Sequence, residues 1–265
     1  MKKKLDLNNP LTFNEKLQWL KINDHNPLYS KLADKYSMRQ YIKNKIGDEY
    51  LFPLVGGPWS KFNDIDFEKL PDKFVLKCNH DSGSVVICNN KAKFNIKKAK
   101  KKINKSLKRN YYYHSREWPY KSIKPLIIAE KYMADKSNNT LTDYKFMCFH
   151  GEVKSIFTCT ERFSKDGLKV SFFDLDWNMQ SFERHYPKSK KKIPPPINLK
   201  QMINLSEKLS KGIPFIRVDL YEINKRIYFG EFTFYPGSGM EEFIPDYWDY
   251  TFGKWIDLKK LSKKK

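Results

Sequence analysis

The sequence predicts an α+β fold built on mixed and antiparallel sheets, and three observations carry that expectation. Short apolar runs alternate with helix-period segments along the 265 residues. Several of the runs meet through short polar turns, as antiparallel hairpins do. Hydrophobic residues make up 40% and aromatic residues 15% of the chain, enough to build a sizeable core and to exclude a disordered polymer.

Taken in order, Thr12 and Glu15 form a capping box that opens a helix carrying Leu17, Trp19 and Leu20. A second helix is expected over 29–46, closed by Gly47. A short strand over 51–58 ends in a turn at Gly56, Gly57 and Pro58. Strands over 74–77 and 84–88 flank the polar loop Cys78-Asn-His-Asp-Ser-Gly83. The run 91–109 holds ten Lys or Arg and no acid, yet Ile96, Ala99, Ile103 and Leu107 recur at helical spacing. An aromatic loop (111–120) and a strand (125–129) follow, then a hairpin of 144–149 with 153–160 about His150 and Gly151. A proline-rich basic connection, 188–196, leads to a helix over 199–209 that Gly212 stops. Two strands, around Arg217 and Glu231, are joined by a polar turn at 222–225. No internal repeat is visible.

The formal net charge of +21 concentrates at 91–109, 188–192 and 259–265. Such patches suit anionic lipid headgroups, anionic glycans or nucleotide-linked substrates. The charge is lysine rather than arginine and no nucleic-acid motif accompanies it, which argues against a nucleic-acid partner. Cys78, Cys88, Cys148 and Cys159 have no CxxC spacing and read as reduced thiols, favouring a cytoplasmic location. The first ten residues lack a signal-peptide apolar region, and no apolar run reaches membrane-spanning length.

The chemistry concentrates at Arg217-Val-Asp-Leu-Tyr221 and Gly230-Glu-Phe-Thr-Phe-Tyr-Pro-Gly237. Side chains alternate along a strand, so Arg217, Asp219 and Tyr221 share one face, as do Glu231, Thr233 and Tyr235. Two carboxylates brought together suit Mg²⁺ on a nucleotide phosphate, and an adjacent arginine can hold a developing anion. A cross-strand ion pair is the plainer alternative. Lys77 ends an apolar strand before the small residues Ser82, Gly83 and Ser84, whose backbone can approach a phosphate. This is not a P-loop, because the lysine precedes the glycine. Glu130, after an apolar strand, can accept from a ribose hydroxyl, and Lys145 can reach a phosphate or face solvent. His80 and His150 read first as turn histidines, with His80 the better candidate for the phosphate loop. Asp34, Lys35 and Arg39 form either a salt-bridged surface or a substrate-side patch.

Strand lysine, small-residue loop, glutamate, RxD and ExTxxPG stand in the order found in ATP-grasp enzymes, which this chain resembles. The resemblance implies an ATP-grasp fold with a small lid subdomain, and ATP with Mg²⁺ as cofactors. Lys77, His80, Ser82, Gly83, Ser84, Glu130 and Lys145 would bind ATP. Asp219 and Glu231 would ligate the metal, and Arg217 would stabilise the reacting acyl phosphate. Thr233 stands where those enzymes usually have asparagine as the third metal position. The implied division is 1–70 as an N-terminal helical region, 71–128 as the nucleotide lid, and 129–265 as the metal-bearing subdomain.

A narrower resemblance rests on Thr12-Phe-Asn-Glu-Lys16 with Gln18 and Trp19, on Asp34-Lys-Tyr36 with Arg39, on Asn79, His80, Ser82 and Gly83, and on Asp143-Tyr-Lys-Phe146 with Phe149, His150 and Gly151. Together, over about 11–239, these are similar to the TupA-like (teichuronopeptide biosynthesis) ATP-grasp family. That family implies an ATP-dependent carboxylate–amine ligase of bacterial surface-polysaccharide synthesis. Its substrates would be an anionic glycan precursor and an amine or amino acid, with peripheral association at the inner membrane face. The alternatives are a sugar kinase, a glycosyltransferase using Asp64 and Asp66, and a non-catalytic anionic-glycan binder.

Overall fold

The computed structural model describes residues 4–135, 141–161, 164–165 and 167–262. The chain forms two compact units, one of residues 1–24 with 135–265 and one of residues 25–134. The expected basic tail is described only as far as Ser262; its last three lysines lie outside the described residues.

Helix α1 (Phe13–Asn23) belongs to the first unit and begins at the expected capping box, with Thr12 Oγ1 accepting from the Glu15 N–H and Glu15 accepting from the Thr12 N–H. In the second unit, α2 (Pro27–Ala33) and α3 (Met38–Lys45) replace the single helix expected over 29–46. The break has a local cause. Asp34 accepts from the N–H of Tyr36 and of Ser37 and from the Ser37 hydroxyl, a side-chain turn that competes with the helical ladder. Gly47 does end α3, at φ +113°.

Strand β1 (Leu54–Trp59) runs through Gly56, Gly57 and Pro58, where a turn was expected. Gly57 has φ +94°, and a Cβ there would lie 2.8 Å from the Ile127 carbonyl oxygen, so the glycine serves a close strand approach. Next come β2 (Phe74–Cys78), β3 (Val86–Cys88), α4 (Ile96–Leu107), the short α5 (Tyr112–Ser115) and β4 (Ile127–Lys131). The four strands pair in the order β1-β4-β2-β3. Helix α4 turns Ala99 and Ile103 onto a core with Phe74, Leu76 and Ile127, and its lysines face outward. Ile96, expected in that apolar seam, is the first residue of the helix and is 45% exposed. Full burial of one such side chain is worth about 1.5–3 kcal/mol.

The first unit resumes with β5 (Asp143–Phe149), β6 (Glu152–Thr160), β7 (Lys169–Phe173), β8 (Glu183–Arg184), α6 (Leu199–Ser210), β9 (Phe215–Ile223), β10 (Arg226–Thr233), β11 (Phe243–Ile244), α7 (Tyr247–Lys254) and α8 (Lys259–Ser262). Five strands pair in the order β10-β9-β5-β6-β7, and β11 pairs with β8. Every pairing between named strands is antiparallel, so of the mixed and antiparallel sheets expected, the described residues form the antiparallel kind.

Helix α6 packs Met202, Leu205 and Leu209 on β5, β6 and β9. Helix α1 is fastened along its length. Phe13 meets Phe215 edge-on at 4.9 Å, and Asn14 Nδ2 donates to Asp249. Lys16 Nζ donates to the Gly253 and Ile256 carbonyls at the end of α7, and Gln18 donates to those of Ser238 and Gly239. The TFNEK-x-Q pattern is therefore a fastening between α1 and the segment that follows β10.

Candidate active site

Hairpin β9–β10 turns on Asn224 and Lys225, both left-handed (φ +50° and +63°), the two-residue turn that matches strand twist. It sets Asp219 opposite Glu231 and Thr233 opposite Arg217, with a bulge at Gly230 between the Phe229 and Glu231 pairings. On the other side of β9, Lys145 of β5 is the register partner of Asp219. One face of the sheet thereby collects Lys145, Arg217, Asp219 and Glu231.

The contacts are close. Arg217 grips Asp219 with two bonds, Nε to Oδ1 at 2.6 Å and Nη2 to Oδ2 at 2.7 Å. Lys145 Nζ lies 2.5 Å from Asp219 Oδ2 and 2.6 Å from Asp143 Oδ2. Arg217 Nη2 reaches Glu231 Oε1 at 3.4 Å. Asp219 is 1% exposed, whereas the Glu231 side chain is 43% exposed. Burial alone would raise the Asp219 pKa, but the charges of Arg217 and Lys145 prevail and hold it below the usual carboxylate value. Burial would lower Lys145 and Arg217, and their acidic neighbours, Asp219 foremost, raise both instead.

Two cations here face three carboxylates, Asp143, Asp219 and Glu231, leaving one negative charge on the cluster. A divalent cation bearing nucleotide phosphates suits that imbalance, and Mg²⁺ commonly takes only one or two carboxylates from protein. Among the described residues, no group of three or more His, Cys, Asp or Glu is disposed to hold a metal by itself. The pair that fits is Asp219 with Glu231, Glu231 being the accessible member. Asp219 has both oxygens engaged by Arg217 and Lys145 and would exchange one of them on ligation.

The second unit holds another group. Lys77 Nζ pairs with Glu130 Oε2 at 2.5 Å, and Arg39 Nη1 lies 4.0 Å from Glu130 Oε1. Two cations share one carboxylate, leaving one positive charge, and the Lys77 side chain remains 22% exposed. In the loop that follows, Ser82 and Gly83 are exposed, and a Cβ on Gly83 (φ +91°) would meet nothing within 4 Å. Ser84 and His80 are buried in the loop's own bonding. Ser84 Oγ accepts from the Cys78 N–H and donates to Asp81 Oδ1. His80 Nε2 faces the carbonyls of Ser106 at 3.2 Å and Arg109 at 3.1 Å, so it donates to the end of α4. His150 is a turn residue at φ +51°, with Nε2 accepting from the Asp257 N–H. Asp34, Lys35 and Arg39 do not form one salt-bridged surface: Asp34 makes the turn between α2 and α3, Lys35 Nζ donates to the Asp81 carbonyl, and Arg39 faces Glu130.

Residues 1–24 and 135–265 also contain a cavity of about 140 Å³ lined by Lys145, Arg217, Phe157, Cys159, Arg184 and Tyr186, among others. Arg184 was missed in the sequence reading; the only signal was one arginine inside the aromatic run Phe182-Glu-Arg-His-Tyr186.

The family model described as TupA-like ATPgrasp matches residues 15–257. No functionally curated protein matches the chain. Among solved structures, an L-amino acid ligase from Bacillus licheniformis matches with TM-score 0.49 at 15% identity, over 87% of this chain and 51% of that one. A D-alanine–D-alanine ligase from Bacillus anthracis complexed with ATP matches with TM-score 0.42 at 15% identity, over 76% and 54%. An N5-carboxyaminoimidazole synthetase from Staphylococcus aureus matches with TM-score 0.43 at 14% identity, over 77% and 44%. The chain thus spans about half the length of the solved proteins it matches.

Proposed function

We propose a function from the family as premise: this chain belongs to the TupA-like ATP-grasp family, and we read it as an ATP-dependent carboxylate–amine ligase. The observation that carries the reading is the cluster of Lys145, Arg217, Asp143, Asp219 and Glu231, two cations against three carboxylates and so short of one positive charge. Asp219 and Glu231 are assigned to Mg²⁺, with Thr233, two residues beyond Glu231, as an auxiliary oxygen. Lys77, Lys145 and the backbone around Ser82 and Gly83 are assigned to nucleotide phosphates, and Glu130 to the ribose. His80 and Ser84 shape that loop from beneath.

A carboxylate resists amines because its oxygen is a poor leaving group. In the proposed reaction a carboxylate oxygen bonds to the γ-phosphorus as the bridging P–O bond breaks and ADP leaves with the electron pair. The amine then attacks the acyl carbon. Inorganic phosphate departs with its bonding pair, and the amine proton passes to solvent. When bound, Mg²⁺ neutralises phosphate charge during transfer. Arg217 holds the oxyanion of the tetrahedral state, a role worth roughly 3 kcal/mol in comparable sites.

The finer reading places the carboxylate on a uronic acid of a bacterial surface-polysaccharide precursor, with an amino acid or other amine as partner. The lysine-rich surface and the net charge of +21 support an anionic substrate and association with the inner membrane face. No helix among the described residues is long and apolar enough to cross a membrane. The functional segments proposed remain 1–70, 71–128 and 129–265. The test is ADP release from Mg-ATP in the presence of uronates and amino acids. Amide product with stoichiometric phosphate supports the ligase; a stable phosphoester assigns a kinase instead.

A further inference from the structure

The aromatic loop that follows α4 carries chemistry that the ligase assignments leave unused, and it lies wholly within residues 25–134. Asn110 fastens both of its ends. Its Oδ1 accepts from the Tyr112 N–H at 3.0 Å, and its Nδ2 donates to the Lys121 carbonyl at 2.9 Å. Tyr111 packs edge-on against Tyr120 at 4.9 Å, and Trp118 stacks on His25 at 5.0 Å. Tyr112 and Tyr113 meet each other at 5.4 Å and 70°, so their rings form a corner, and Tyr113 is 67% exposed.

Arg116 sits in that corner. It ends α5 at φ +58° and ψ +30°, a left-handed position that most often takes glycine. Its guanidinium carbon lies 5.6 Å from the Tyr112 ring centroid and 5.5 Å from that of Tyr113. Lys121 Nζ lies 5.6 Å from the Tyr112 ring. Both cations are exposed, and among the described residues neither side chain makes an ion pair or a hydrogen bond. The one acid of the loop, Glu117, is 5% exposed and accepts from the Ser115 hydroxyl at 2.7 Å. The tyrosines thus hold a planar guanidinium in place while its N–H donors stay open, the fork that takes a carboxylate or phosphate with two bonds.

We propose that Tyr112, Tyr113, Arg116 and Lys121 form a recognition site for an acidic sugar, a pyranose bearing a carboxylate or a phosphate. The apolar C–H face of the ring lies on Tyr113, and the anionic group pairs with Arg116, with Lys121 adding charge. The patch is two rings and two cations wide, which suits one sugar unit rather than a protein partner, whose stable interfaces bury about 800 Å² a side. The site rests on the ligase reading only for the choice of an acidic sugar, and adds to it residues outside the metal and nucleotide assignments.

The test is saturation-transfer NMR with glucuronate, glucose 1-phosphate, glucose and AMP on wild type, Arg116→Gly and Tyr113→Ala. Glycine suits the left-handed backbone at 116 and Tyr113 is exposed, so both variants should keep the wild-type Tm. Wild type should show transfer to at least one acidic sugar and none to glucose. Each variant should weaken that binding about tenfold or more, as expected for a lost charged hydrogen bond or stacking surface. Binding of glucuronate alone identifies the carboxylate source, and binding of glucose 1-phosphate alone identifies the phosphate; either supports the site. Transfer to neither acidic sugar, equal transfer to glucose, binding of AMP alone, or affinity unchanged in both variants overturns it. Failure of the ligase reading shows separately, as absence of ADP release by a wild type that still binds the acidic sugar.

Discussion

Replacing Asp219 by Asn changes one atom in the most heavily engaged carboxylate of the sheet and should cost far more stability than the same change at Glu231. Asp219 is 1% exposed and accepts from Arg217 twice, at 2.6 and 2.7 Å, and from Lys145 at 2.5 Å. Asparagine would turn an N–H₂ toward one of those donors and leave buried positive charge under-compensated. Breaking a buried pair costs about 3–5 kcal/mol. Asp143 at 2.6 Å from Lys145 and Glu231 at 3.4 Å from Arg217 remain as partial partners, so the lower end, about 3 kcal/mol, is expected. With about 2–4 °C of Tm per kcal/mol for a unit of this size, the shift is about 6–12 °C downward. Glu231→Gln, at a half-exposed side chain with one long contact, should change stability by less than about 1 kcal/mol. Thermal unfolding followed by circular dichroism compares the two. Equal shifts for both variants, or no shift for Asp219→Asn, would refute the reasoning that Asp219 holds the cations and Glu231 is the accessible ligand.

Acid should expose the same asymmetry: Asp219 is depressed below its unfolded value of about 3.9, so its contribution is complete above that pH and is lost as pH falls through the folded value. A urea midpoint measured from pH 6 to pH 2 should therefore fall less steeply below pH 4 in Asp219→Asn than in wild type. His80→Ala would take one donor from the Ser106 and Arg109 carbonyls; a loss of about 1–3 kcal/mol is expected in denaturation. Thr12→Ala removes the cap of α1 and should cost about 1 kcal/mol by the same assay. Burial pushes the Cys78 thiol up to about 11 and the Cys148 thiol up to about 12, so iodoacetamide at pH 8 should modify Cys159 first, as mass spectrometry of the peptides would show.

Local signals in the sequence were legible where one residue type decides the geometry. The capping box at Thr12 and Glu15, the helix stop at Gly47 and the hairpin that opposes Asp219 to Glu231 follow from short-range rules, and the structure has all three. The α2–α3 break was hidden because helical periodicity continues through Asp34, and only the bonds from its carboxylate to Tyr36 and Ser37 interrupt it. Gly56 and Gly57 resemble a turn in sequence, but Gly57 answers to the neighbouring strand at Ile127, 70 residues away, and Gly56 to the side chains of Trp59 and Leu70. In the site, strand alternation was enough to bring Arg217, Asp219 and Glu231 together. It could not say that Lys145 would be buried against Asp219, since that depends on the β5–β9 register. Nor could it reveal Arg184, which reaches the cavity from a two-residue strand.

The central claim is tested most directly by calorimetric binding of a non-hydrolysable ATP analogue, with and without Mg²⁺, to wild type and to Glu231→Ala. Metal-dependent binding by wild type that disappears in the variant is the expected result. No binding by folded wild type, or undiminished metal-dependent binding by the variant, would contradict the assignment of Glu231 and Asp219 to a nucleotide-bound metal.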